Sequence, residues 1–340
     1  RGYPRAVEML GLQWPLAVQR LDGRLDATST DTGSSVATDR LGFRTREGLD
    51  WAGGTVRVEH SPARERQGPR TAVQAQAVDL ATVSALAERL PLPAQVRNWL
   101  ARLQPAGRLE RLDLLWQARG SGPMADHVVA RASGRVTALA LAGEPSGRMS
   151  RSGRYPLPGR PGIEGATIDF NLDEDGGQAK LSLRQGALAF PDVFENPRID
   201  LDRLDARLSW RIDGERIEVD LDDGSLANAD AEGTLRARWH TGDPATSRAR
   251  SRFPGVLDLT ANLTRADGTA VHRYLPLTVP ENARRYVREA TLAGGARQVA
   301  FRIQGEVWDI PFHRPEETPG TFRITAALEG VDFDHLPAFL

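Results

Sequence analysis

The chain has 340 residues, 44 of them basic and 45 acidic, for a formal charge of −1; gripping a phosphate backbone needs a basic surplus, so nucleic acid is excluded as a partner. Apolar residues make up 40 % and 33 glycines come on top, enough for a large core and too much for a disordered chain. No run approaches the roughly 18 to 20 apolar residues of a membrane-spanning helix, and zero cysteines exclude a disulfide framework, a thiolate metal site and a cysteine nucleophile.

The chain starts at Arg1 with neither an initiator Met nor a basic-then-apolar leader, which reads as a soluble piece cut from something longer. A cysteine-free sequence suits an oxidising compartment. Near the start, Asp31-Thr32-Gly33-Ser34-Ser35 matches the active-site loop of aspartic proteases. That chemistry requires two facing carboxylates sharing a proton; no second copy occurs, and Thr28, Ser29 and Thr30 ahead of it are polar. A polar hairpin loop is the expectation.

From there to the C-terminus, alternation of apolar and polar residues dominates, the signature of antiparallel strands with one buried and one wet face. It predicts strands at Thr55–Glu59 and Thr71–Val78, then breaks. From Asp79 to Leu103 the apolar residues Leu80, Val83, Leu86, Leu90, Val96, Trp99, Leu100 and Leu103 recur at spacings of three and four, around Pro91-Leu92-Pro93. This predicts a helical insertion over about 80–103, its face of Leu86, Leu90, Trp99 and Leu103 buried against the sheet. Strands resume at Leu109–Gln117 and His127–Leu141.

The middle is clearest. Ile168, Phe170 and Leu172 alternate with Asp169, Asn171 and Asp173, turn at Asp175-Gly176-Gly177, and return through Leu181 and Leu183: a hairpin with matched faces. Leu208, Trp210 and Ile212 repeat the design through Asp213-Gly214 into Ile217, Val219 and Leu221. Further strands are predicted at Thr234–Trp239, Val256–Thr264, Gln298–Val307 and Thr321–Leu328. A second helical insertion spans about 270–292, with Tyr274, Leu277, Tyr286 and Val287 on its buried face. Shifting the chain by 187 positions pairs Pro93 with Pro280, Trp99 with Tyr286, Gly107 with Gly294 and Leu114 with Phe301, a diverged internal repeat. Ser61–Pro69, Glu144–Gly162 and Thr241–Pro254 are rich in Pro, Gly, Ser and Arg and read as loops, so residues 1–340 are expected to form one elongated body.

No catalytic constellation is present. Six histidines are scattered without ligand spacing, the acidic groups Asp173-Glu174-Asp175 and Asp220-Asp222-Asp223 fall at turns, and no phosphate-cradling glycine loop or Gly-x-Ser-x-Gly elbow occurs. The reading is a non-enzymatic chain with no metal and no cofactor. What needs explaining is the apolar face of about eighteen strands, which at ~4.8 Å per strand is too large to leave in water. It folds on itself as a sandwich, closes into barrels, or curls into a half-pipe covered by lipid and by the helical segments.

Four strings carry a resemblance: Leu90-Pro91-Leu92-Pro93 with Trp99-Leu100; Phe190-Pro191 with Phe194-Glu195-Asn196-Pro197; Tyr274-Leu275-Pro276; and Gly305-Glu306-Val307-Trp308-Asp309-Ile310-Pro311-Phe312. Over about 48–340 the chain resembles the AsmA-like proteins of Gram-negative envelopes, in their YhdP branch. The resemblance implies a mainly β, antiparallel meander curled into a hydrophobic groove with two short amphipathic helical insertions. It implies a periplasmic bridge, anchored in the inner membrane by a segment outside this sequence, along which phospholipid acyl chains pass toward the outer membrane, with outer-membrane or periplasmic proteins as further partners. The lining would be Ile168, Phe170, Leu172, Leu181, Leu183, Leu208, Trp210, Ile212, Ile217, Val219 and Leu221. Two other classes fit the same alternation: a structural module with a dry, self-packed core, and an assembly factor docking a partner on its strand edges.

Overall fold

The computed structural model describes residues 18–51, 53–63, 68–87, 94–118, 128–149, 156–247, 250–310, 312 and 319–335. Its elements are β1 (Val18–Thr30), β2 (Gly33–Thr45), β3 (Asp50–Trp51), β4 (Thr55–Ser61), β5 (Arg70–Asp79), α1 (Leu80–Leu86), α2 (Ala94–Leu103), β6 (Ala106–Ala118), β7 (Val128–Leu141), β8 (Gly162–Asp173) and β9 (Gly176–Ala189). They continue with β10 (Arg198–Asp213), β11 (Arg216–Ala227), β12 (Ala231–His240), β13 (Val256–Asp267), a 3-10 turn (Val271–Tyr274), α3 (Glu281–Ala290), β14 (Thr291–Glu306), a second 3-10 turn (Val307–Asp309) and β15 (Gly320–Phe333). Strands are hydrogen-bonded in chain order, β1-β2-β4 through to β15, with β3 on β2. This is the antiparallel meander that the alternation predicts, in fifteen strands among the described residues rather than about eighteen.

The chain divides into two compact units, Arg1–Ala142 with Gly165–Gly177, and Gly143–Glu164 with Gln178–Leu340. In the first, the hairpin β1–β2 turns through Asp31 and Thr32, so the protease-like string is a turn. Sequence periodicity passes over β1, β2 and β3. The reason is local: β1 is exposed along its described length, and Arg40, at φ 46°, inserts an extra residue into β2 that shifts its pairing with β1 between Asp22 and Arg24. Such bulges bend a strand and break its period. Ala77 in β5, Ala138 in β7, Gln185 in β9, Asp223 in β11 and Gln298 in β14 also take positive φ inside strands.

Both predicted helical insertions are present, each in two short pieces. Asp79 starts α1 by accepting the Thr82 N–H at 2.7 Å, the capping geometry that satisfies an otherwise unpaired amide. α1 packs on β5 and β6, burying Leu86 beside a core that includes Val78, Leu109, Val136 and Leu139. In the second unit α3 packs against the 3-10 turn and β14. The repeat is legible element by element: α2, moved by 187 positions, falls on 281–290, the bounds of α3. Gly107 and Gly294 share a positive φ, 119° and 109°, where an added Cβ would meet backbone of the neighbouring strand.

One expectation fails here. Trp99 is 71 % exposed, not buried against the sheet. α2 packs against α1, and the position 187 after Trp99 shows what is missing. Tyr286 of α3 meets the Phe333 ring edge-on at 6.0 Å, whereas 187 positions before Phe333 stands Ser146, which offers no ring. Leu103 is half-buried, as are Tyr274, Leu277, Tyr286 and Val287; Leu90 lies outside the described residues.

Candidate functional site

Directly opposed residues of paired strands project to the same face, so the registers define which side chains form a surface. In the second unit they assemble two apolar rows. One runs Trp210, Val219, Trp239, Leu257, Gly305, Gly320, and the next runs Leu208, Leu221, Ala237, Leu259, Ile303, Phe322. None of these residues is fully buried. Past the Asp223 bulge the surface continues through Leu235, Ala261, Phe301 and Ile324.

The opposite face has the opposite chemistry. Ser209, Asp220, Arg238, Asp258, Gln304 and Thr321 oppose one another in a row. Arg238 donates to Asp220 at 2.6 Å and Arg302 bridges Asp258 and Thr260. The bond to Asp220 holds the Arg238 guanidinium above its ordinary pKa, and the bond from Arg216 holds Glu218 below its own. These exposed pairs keep one face hydrated and contribute little stability each. The first unit repeats the arrangement: Ala27, Val36, Val58, Val73, Leu114 and Ala132 line one face, and Arg57, Gln74, Asp113 and Ser133 the other.

Of the residues that sequence analysis groups as a lining, Leu208, Trp210, Val219 and Leu221 stand in these rows, and Ile212 opposes Ile217 beside them. Phe170 lies over Gly134, beside the Leu112 row of the first unit, while Asp169 pairs with Arg135 at 3.0 Å on the other side. Ile168, Leu172 and Leu181 are half-buried, as are Leu208, Trp210, Ile217, Val219 and Leu221. Leu183 differs, being 1 % exposed, and Ile212 is the most open at 39 %. Sequence reasoning did not name Trp239, Leu257, Leu259, Phe301, Ile303 or Phe322. Their alternation was visible in the predicted strands; what was absent was the register that aligns them with Trp210 and Leu208.

Two rings come from loops and left no periodic signal. Phe253 stacks on Trp239 with centroids 6.0 Å apart, and the Trp239 indole N–H donates to the Pro254 carbonyl at 2.8 Å. The buried ring of Phe312 covers Gly305 and Gly320, where a Cβ would collide with it. Aromatic rings thus lie against the first row at Trp239, Gly305 and Gly320.

Among the described residues, no three His, Asp or Glu side chains are grouped to hold a metal, and no helix is long and apolar enough to cross a membrane. A protein-family model described as YhdP protein matches residues 6–339. Neither the curated proteins nor the solved structures include a match to the chain.

Proposed function

The chain belongs to the YhdP family, and from the two-faced sheet of its second unit we propose that it is a segment of a non-enzymatic phospholipid carrier of the Gram-negative envelope. Family membership supports lipid transport and an envelope location. One observation carries the finer reading: the Leu208-to-Phe322 row is apolar across six strands and nowhere fully buried, while the face behind it is laced with ion pairs.

An acyl chain laid on such a row gains about 0.8 kcal/mol for each CH₂ withdrawn from water. The gain is similar from one strand to the next, because Leu, Ala, Ile and Phe succeed one another without an intervening charge. A tail therefore moves along the row with no deep trap. The carrier works in the periplasm, held to the inner membrane. A dry structural module would bury the same rows against protein.

The test is a photo-crosslinking residue at 210 and at 209, in chain mixed with detergent-solubilised dioleoyl phospholipid. Position 210 is expected to capture lipid and position 209, on the charged face, to capture none. Equal labelling, or none at either position, favours the structural module.

A further inference from the structure

Following β10 toward its start, the face that carries Trp210, Leu208, Ala206 and Leu204 changes character: the next alternate residues are Asp202, Asp200 and Arg198. Gln185, at φ 52° in β9, donates to Asp202 at 3.0 Å, and the adjacent Arg184 pairs with Asp205 at 2.9 Å. Here the sheet borders a cavity of about 490 Å³, lined also by Glu164, Asn228, Asp230, Arg273 and Tyr274. Its size is that of a small-molecule site.

The charges around it are mixed. Arg198 spans to Glu164 and donates through Nε to Asp200 at 2.9 Å, and these bonds raise its pKa. Arg273 reaches both Asp230 oxygens through Nη1 alone, at 3.2 and 2.9 Å. The Tyr274 hydroxyl donates to Asp230 at 2.8 Å and accepts from Asn228 at 3.0 Å. Two kinds of group are left over among the described residues. Nη2 of Arg198 and Nε and Nη2 of Arg273 have no acceptor, and Asp202 has an amide but no cation as partner. Four carboxylates, Glu164, Asp200, Asp202 and Asp230, face two guanidinium groups.

We infer that this cavity binds the headgroup of an amine-bearing zwitterionic phospholipid, the phosphate on Arg198 and Arg273 and the ammonium on Asp202 and Asp200, with the acyl chains on the row from Leu204 to Trp210. The inference rests on the lipid-carrier reading and adds the class of lipid. The open guanidinium donors suit a phosphate, and the surplus of two carboxylates disfavours a headgroup whose only charge is negative. An ammonium answers that surplus. A choline headgroup, which cannot donate an N–H bond, fits Asp202 less well.

The full chain is mixed with equal amounts of dioleoyl phosphatidylethanolamine and dioleoyl phosphatidylglycerol in detergent, and bound lipid is identified by native mass spectrometry. The amine lipid is expected to exceed the glycerol lipid by about tenfold, the ratio that 1.4 kcal/mol produces. Asp200→Asn with Asp202→Asn should bring the ratio near one; Asp200 is 79 % exposed in its side chain, and circular dichroism checks that the double variant keeps the sheet. Arg198→Gln with Arg273→Gln should lower retention of both lipids. Binding of both in equal amounts by the unaltered chain overturns the headgroup site and leaves the carrier standing, whereas binding of neither overturns both. Free phosphoethanolamine in large excess should leave the amine lipid bound, since the tails hold most of it. If it binds alone and displaces the lipid, the cavity serves a soluble ligand and the inference falls.

Discussion

Phe312 shows how one residue in a loop shapes a sheet face. Its backbone takes φ 58° and its ring is buried over Gly305 and Gly320; a methyl at 305 would stand 2.7 Å from the ring. Both glycines are thus in the row because the ring occupies the space their side chains would fill. Gly320→Ala should destabilise the chain by about 1 to 3 kcal/mol through overpacking, and Phe312→Ala by about 3 to 5 through the void it leaves. Because both changes act on one volume, the double variant should cost clearly less than the sum, read from urea unfolding midpoints. Strict additivity would mean that the ring does not sit on Gly320.

At the level of elements, the two helical insertions are the same device with different anchoring. α2 and α3 occupy equivalent positions of the repeat, yet Tyr286 has Phe333 as a ring partner and Trp99 has none. Aromatic pairs add roughly 0.5 to 1.5 kcal/mol beyond the area they bury, and a surface substitution stays within about 0.5 kcal/mol. Tyr286→Ala is therefore expected to lower the unfolding free energy by about 1 kcal/mol or more, and Trp99→Ala to leave it nearly unchanged, although tryptophan is the larger residue. An equal loss for both would place Trp99 in a packed environment that its exposure excludes.

At the scale of the whole molecule, each unit presents an apolar face and a charged one, assembled from many strands. A face of this kind works as a path only if it is uninterrupted, and a charge is the sharpest interruption. Desolvating a carboxylate costs several kcal/mol, and water drawn to it exposes the tails beside it. Trp210→Asp should therefore lower phospholipid retained by the purified chain by about tenfold or more, while Ser209→Asp, on the hydrated face, should retain lipid as the unaltered chain does. Circular dichroism of both variants checks that the sheet persists. A folded Trp210→Asp chain with full lipid retention would remove this row from the path.

The range of each interaction decides how much of the fold and the site was legible in the sequence. Alternation is a property of one strand, decided by whether each residue meets water, so Ile168 to Leu221 announced strands and hairpins directly. The 187-residue repeat and both helical insertions were equally local, through spacings of three and four and the glycines at 107 and 294. Strands β1 and β2 escaped because exposure along β1 and the bulge at Arg40 removed the period. Only tertiary structure decided which apolar residues share a row, since register depends on bulges such as Asp223 and Gln298 that one strand cannot reveal. It also placed Phe253 on Trp239 and Phe312 over Gly305 and Gly320, and drew Arg198, Asp202 and Arg273, 71 positions apart between Asp202 and Arg273, around one cavity. Those contacts join segments distant in the chain, and no short-range pattern records them.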